Sequence, residues 1–186
     1  SPPAVARCAA MGTIQAHFDA SADRYRTWWE PVLAPTALAL LDEVEPEPDP
    51  AEDGGRDRPR ILDVGTGTGV LALAAIRRWP AARVVGLDGS TGMLTVATAE
   101  ADARLTPAER ERLELVAGHA GRLPFDDASF DLVVSSFVLQ LVPHRPTALR
   151  EALRVLRPGG RLAFGTWLIG RADERFAPDE AFEKAL

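Results

Sequence analysis

One cysteine, one lysine and one tyrosine occur in 186 residues, and no apolar run approaches the length of a membrane span. Cys8 has no internal partner, and no charged segment followed by a long apolar run reads as a secretory signal, so the reducing cytoplasm is the expected compartment. The longest nearly uncharged apolar stretches, Val32 to Leu41 and Val70 to Ile76, fall far short of the roughly 20 residues that cross a bilayer. The only lysine, Lys184, stands in no Gly-Lys-Ser/Thr, which excludes a Walker phosphate loop. No Gly-x-Ser-x-Gly elbow is present, which disfavours hydrolase chemistry. Cys, His and Asp never fall at metal-ligand spacing, so no catalytic metal is expected. There is no basic stripe and no platform of interleaved basic and aromatic residues, so nucleic acid is not an expected partner. Nothing in the pattern indicates an oligomer.

What is present is a chain 46% apolar with a net charge of −6, which suits a globular domain of ordinary size. Most of that charge is local. Eight acids (Asp42, Glu43, Glu45, Glu47, Asp49, Glu52, Asp53 and Asp57) stand against three arginines between positions 42 and 60. This Pro-, Glu- and Gly-containing run cannot bury enough apolar surface to order itself, and residues 42–58 read as a solvated linker. Met11-Gly12 opens the first patterned segment, so residues 1–10 read as leader, tag or upstream sequence. Residues 11–41 are then a helical preface in which Ile14, Phe18, Tyr25 and Trp28-Trp29 recur near helical spacing. Pro31 is expected to interrupt it, with a second helix over Val32 to Leu41.

After the linker the pattern changes, and residues 59–186 form the expected α/β unit. Strands are expected at Arg60 to Val64, Arg83 to Leu87, Leu113 to Val116, Phe130 to Val134 and Arg161 to Trp167, with helices at Val70 to Trp79, Thr91 to Arg104 and Thr147 to Leu156. Arg157-Pro158-Gly159-Gly160 closes the last of these helices. Strands alternating with helices imply right-handed crossovers, hence a doubly wound, mostly parallel sheet with helices on both faces. Ligands bind beyond the carboxyl ends of such strands.

Two constellations fall at those ends. Asp63-x-Gly65-x-Gly67-x-Gly69 follows the first strand, where glycine lets backbone approach a ligand and the next helix offers unpaired N–H groups. Asp88 ends the second strand, where a carboxylate can accept from both hydroxyls of a ribose. Together they point to a nucleoside-containing cofactor without saying which. A dinucleotide loop would place its third glycine at Val70, or at Ala72 when counted from Gly67, so a nicotinamide-dependent oxidoreductase is the weaker reading.

The ordered segments ILDVGTGTG (61–69), VVGLDGSTGML (84–94), GRLPFDDASFDLVVSSFVLQLV (121–142) and ALRVLRPGGRLAFGTW (152–167) resemble the class I S-adenosylmethionine-dependent methyltransferases, in particular their ubiquinone/menaquinone-type branch. FDASADRYRTWWEP (18–31) is more loosely similar to that branch's N-terminal segment. The resemblance implies a Rossmann-like methyltransferase fold with an N-terminal helical lid. It also implies methyl transfer from S-adenosylmethionine to an O, N or C nucleophile of a small molecule, leaving S-adenosylhomocysteine. By position, Asp63, Gly65, Thr66, Gly67 and Thr68 would line the methionine moiety and ribose, Asp88 would hold the ribose hydroxyls, and Gly89 and Met93 would border the adenine. His119-Ala120 fall where the family carries Asp-Ala or Asn-Ala against the adenine amino group, and Ser136 falls beside the methionine end. Gln140 stands where many relatives have histidine.

Other readings stand beside these. Met93 serves equally as core, and His119 as a surface residue at a strand end. Trp28 and Trp29 read as core anchors before substrate platforms. Tyr25 has two readings, a reach to the cofactor carboxylate and a buried phenol. His17, Tyr25 and His144 are the candidates for a base, and no catalytic residue is assigned. The family sheet ends with two further strands, whereas residues 168–186 offer only a helix over Phe176 to Leu186, so the expectation is a piece of a longer protein. A cofactor-holding module without catalysis is the third functional reading.

Overall fold

The first strand after the acidic run alternates its burial between two layers. Ile61 and Asp63 face one side of the sheet and Leu62 and Val64 the other, as the two-residue repeat of an extended chain requires. The computed structural model describes residues 4–46 and 58–167. The middle of the acidic run and the expected helix over 176–186 lie outside the described residues.

Five strands form one sheet: β1 (Arg60–Val64), β2 (Arg83–Asp88), β3 (Leu113–Ala117), β4 (Phe130–Ser136) and β5 (Leu156–Gly165). Their order is β3-β2-β1-β4-β5 and every pair is parallel. The chain therefore winds one way from β1 through β3 and the other way from β4, and the crevice between β1 and β4 is the switch point. Helices α3 (Val70–Arg78), α4 (Thr91–Arg104) and α6 (Arg145–Val155) make the crossovers. Leu71, Leu73 and Ile76 of α3 join Ile61, Val84, Leu132 and Val134 in one apolar layer. Ala152 and Val155 of α6 join Leu62, Val85, Leu87 and Phe130 in the other. The guanidinium of Arg112 donates to the carbonyls of Ile76, Ala82 and Trp79 at 2.9, 2.8 and 3.3 Å, placing a cation where α3 presents its free carbonyls. Asp131, 2% exposed, accepts from the backbone N–H of Arg60 at 2.6 Å and from Arg157 at 2.7 Å, which ties β4 to both of its neighbours.

Three differences from the expected elements have identifiable causes. β5 begins at Leu156, five residues early, because Phe130 pairs with Leu156 and Leu132 next pairs with Arg161. The residues between bulge out, with Gly159 at φ +81°, a conformation open to glycine and closed to most side chains. In the preface, Pro31 does not break the helix. α1 (Ala4–Arg24) passes through a π turn (Tyr25–Trp29) into α2 (Glu30–Asp42), with the N–H of Glu30 donating to the carbonyl of Tyr25. A proline ring collides with the carbonyl four residues back in a regular helix, and widening the turn just ahead of Pro31 relieves that collision. A short helix, α5 (Pro107–Arg110), was not expected, and Thr106 and Glu109 close it in a reciprocal capping box.

The preface lies across the carboxyl ends of the strands. α1 packs on α4, and α2 on α3 and β5. Asp19 of α1 accepts from Ser90 Oγ at 2.7 Å and from the N–H of Gly92 at 2.8 Å, which holds its carboxyl below the usual carboxylate range. A Cβ at Gly92 would stand 2.6 Å from the Asp19 carbonyl oxygen, so α1 meets α4 backbone to backbone.

Candidate functional site

Loops leaving β1, β2, β3 and β4, together with the preface, enclose a cavity of about 1500 Å³. Its floor is the glycine turn after β1. Gly65, Gly67 and Gly69 all have positive φ (+75°, +56° and +92°) for different reasons. A Cβ at Gly65 would run into the Val138 side chain, and one at Gly69 would press on Leu73 and Ala97 at 3.0 and 3.3 Å. A Cβ at Gly67 would meet nothing within 4 Å. Packing demands the first and third glycines, whereas the middle one exposes backbone to open cavity.

Asp88 sits beside this turn. Its carboxylate accepts from the N–H of Gly67 and from the N–H of Ser90, each at 2.8 Å. Burial pushes its pKa up, although those N–H groups pull the other way. Gly65, Gly67, Asp88, Gly89, Met93, His119, Ala120 and Ser136 all line the cavity, so eight of the eleven candidate residues converge on it. Asp63, Thr66 and Thr68 do not. They are buried (1%, 6% and 3% exposed) beneath the turn, where Thr66 Oγ1 donates to Asp63 Oδ2 at 2.7 Å. Burial raises the Asp63 carboxyl to about 7 against that hydrogen bond, and the charge of Asp88 adds to the rise.

The alternatives for single residues resolve variously. Met93 is core and cavity wall at once, 3% exposed and packed with Ala22 and Val96. His119 is an exposed residue just after β3, as its surface reading had it, and it also borders the cavity, with its Nδ1 2.8 Å from Gln15 Nε2 of α1. Trp28 is no core anchor, being 72% exposed, while Trp29 is half-buried, and both line the cavity. Tyr25 also lines it, and burial, followed by the charges of Glu30 and Asp88, pushes its phenol up to about 12. It is therefore a neutral hydroxyl near neutral pH. His17 stacks edge-on against Phe18, and His144 Nδ1 lies 2.6 Å from Thr147 Oγ1. Gln140 is held by the Phe137 carbonyl at 2.7 Å and the Thr166 hydroxyl at 3.1 Å.

Several lining residues had no place in the sequence expectations. Phe137 holds φ +57°, an uncommon backbone for an aromatic residue, and its ring lies 4.6 Å from that of Trp167. Val138, Leu139 and Phe164 extend the apolar wall. The largely apolar run FVLQLV, broken by Gln140 and lying past the polar end of β4, was the available signal. Gln15 and Glu30 carried none, being single polar residues in helices with no strong sidedness. Among the described residues, no three His, Cys, Asp or Glu side chains group as a metal site, and no helix is long and apolar enough to cross a membrane.

Residues 62–164 match the model of a protein family described as "Methyltransferase domain". The chain is 45% identical over 107 residues to a ubiquinone/menaquinone biosynthesis C-methyltransferase of Dinoroseobacter shibae, covering 58% of this chain and 42% of that protein. It is 40% identical over 151 residues to a malonyl-[acyl-carrier protein] O-methyltransferase of Xylella fastidiosa, covering 78% and 49%. The chain thus spans less than half the length of these curated relatives. Among solved structures, it is similar to an N-methyltransferase of Haemonchus contortus in complex with phosphomonomethylethanolamine and S-adenosylhomocysteine. The TM-score there is 0.63 at 25% identity, over 81% of this chain and 32% of that one.

Proposed function

The chain belongs to the methyltransferase-domain family, and from that premise we propose that it transfers a methyl group from S-adenosylmethionine to an oxygen, nitrogen or carbon of a small molecule. One observation carries the reading: the only glycine of the turn whose Cβ would enter open cavity, Gly67, donates its N–H to the carboxylate of Asp88. A nucleoside seated there meets bare backbone on one side and an acceptor for its ribose hydroxyls on the other. The unpartnered, shielded oxygens of Asp63 and Ser136 fit the polar tail of the same cofactor.

When bound, S-adenosylmethionine supplies an electrophilic methyl group on a sulfonium that is already a good leaving group. The chain's own work is therefore orientation and exclusion of water. Asp88 and Gly67 hold the ribose, Gly89, Met93, His119 and Ala120 border the adenine, and Ser136 lies toward the methionine end. Trp28, Trp29, Phe137, Leu139 and Phe164 form an apolar wall that suits a substrate with a flat or hydrocarbon body. Where the nucleophile carries a proton, His17 and His144, both in the cavity lining, are the candidates to take it. Tyr25 keeps its own proton near neutral pH and serves as a donor. The preface (11–41) acts as a lid on the α/β unit (59–186), and the acidic stretch (42–58) acts as a linker whose start, unlike the solvated run expected, is docked on α3 through Asp42 and Glu45 paired with Arg78 and Val44 packed on the core; the reducing cytoplasm is the working compartment. Nucleic acid has no part in this reading.

Calorimetric titration with S-adenosylhomocysteine, NAD and NADP tests it. Saturable binding of the first alone is the expected result, and preferential binding of either dinucleotide would overturn the assignment. Deleting residues 44–57 should leave the affinity unchanged if the linker is passive.

A further inference from the structure

A second, small chamber of about 60 Å³ opens off the main cavity, and Tyr25, Leu33, Gly65, Gly67, Ser136 and Phe137 line both. Three shielded side-chain oxygens among the described residues lack a hydrogen-bond partner: Glu30 Oε2, Asp63 Oδ1 and Ser136 Oγ. All three residues line this chamber. They come from separate elements, α2, β1 and β4, so their meeting is a property of the fold and not of one loop.

Unpartnered buried polar atoms are uncommon, and each marks a group that water or a ligand must satisfy. Here the Glu30 oxygen belongs to a carboxylate, which only accepts, the Asp63 oxygen to a carboxyl that burial raises to about 7, and the third to a hydroxyl, which accepts or donates. Among the described residues, no Lys, Arg or His lines the chamber to offset the negative charge of Glu30. An occupant suited to it brings N–H donors and positive charge together. An ammonium group does both, with three donors on a compact cation. A carboxylate would meet the like charge of Glu30.

We propose that Glu30 of α2 is a ligand of the amino group at the methionyl end of S-adenosylmethionine, so that the preface itself, and not the glycine turn alone, recognises the cofactor. This rests on the methyltransferase reading above. The main cavity holds the nucleoside at Gly67 and Asp88, and the chamber, reached past Gly65 and Ser136, takes the charged tail. Glu30 sits in the first turn of α2, directly after the π turn, and accepts no hydrogen bond from any described residue. It gives the ligand-free fold no bond that its removal would cost.

Glu30→Gln keeps the shape and removes the charge. Calorimetry would compare S-adenosylhomocysteine with 5′-methylthioadenosine, which shares the nucleoside thioether and lacks the amino-acid end. The variant should lose about tenfold or more in affinity for S-adenosylhomocysteine and stay within about twofold for 5′-methylthioadenosine. Its unliganded melting temperature should equal or exceed that of the wild type. Equal losses for both ligands, an unchanged affinity for S-adenosylhomocysteine, or a lower unliganded melting temperature would each overturn the assignment of Glu30. A wild type that binds both ligands equally well would overturn it too, while leaving the cofactor reading intact. A wild type that binds neither would overturn the cofactor reading, and Glu30 with it.

Discussion

Asp63→Asn should remove a dependence of stability on pH that the wild type carries. The Asp63 carboxyl is 1% exposed, and burial raises it from the ordinary value near 3.8 to about 7, with the Thr66 hydroxyl opposing and Asp88 assisting. Between those two values the folded chain holds a proton that the unfolded chain has released. Because the folded value is the higher one, the contribution to stability is full below the unfolded value and is lost as pH rises through the folded one. The slope is about 1.4 kcal/mol per pH unit, and the whole loss is about 4 kcal/mol, a large share of the roughly 5–15 kcal/mol that holds a domain folded. Asparagine keeps an acceptor for Thr66 and cannot ionise. Urea unfolding of both proteins at about pH 5 and about pH 8 isolates the effect, since every other titrating group is common to the pair. The wild type should lose about 2–3 kcal/mol more than the variant over that interval. Parallel losses would refute the reasoning and mean that Asp63 is ionised throughout.

Asp88→Ala removes the acceptor of the Gly67 and Ser90 N–H groups and the proposed ribose clamp, and should cost about tenfold or more in S-adenosylhomocysteine affinity by calorimetry. Gly67→Val should abolish that binding, because the side chain enters the cavity from a backbone at φ +56°; unchanged affinity in both variants would sink the site assignment. Asp19→Ala takes away the acceptor shared by Ser90 Oγ and the Gly92 N–H, and chemical denaturation should show a loss of about 1 kcal/mol. Asp131→Ala, which strips the acceptor from both Arg157 and the Arg60 N–H, should cost about 3–5 kcal/mol, and a stability near wild type would mean that the interstrand tie contributes little.

The strands of the sheet were legible because each is a short β-branched or leucine-rich run bounded by glycine, proline or aspartate, a local pattern that packing then reinforces. β1 and α4 lie where the pattern put them, to the residue. The glycine turn and Asp88 were legible for a related reason, since both are conformational or charged residues at a strand end. What escaped depended on partners distant in the chain. The start of β5 is set by pairing with Phe130, 26 positions away, and not by the proline and glycines that follow Leu156. Trp28 and Trp29 show the right helical spacing for a buried stripe, but spacing alone does not say whether the buried side looks onto core or cavity. The contact between Gln15 and His119 spans 104 positions, and no pattern within α1 announces it. Glu30 is a single acid among aromatic residues, and its environment exists only once α2 lies beside the glycine turn.

The π turn sets a rule about length. Each residue of a regular helix advances the chain by about 100°, and the wide turn at Tyr25–Trp29 absorbs one position between α1 and α2. Dropping one residue there would close the wide turn into an ordinary one, with α1 and α2 still in register, and would press the ring of Pro31 on the carbonyl four residues back. Replacements in this stretch alter the cavity wall one side chain at a time, whereas a one-residue deletion would leave its neighbours facing as before and put the proline collision into the middle of a continuous helix. The extra position is thus the room that the proline ring takes up.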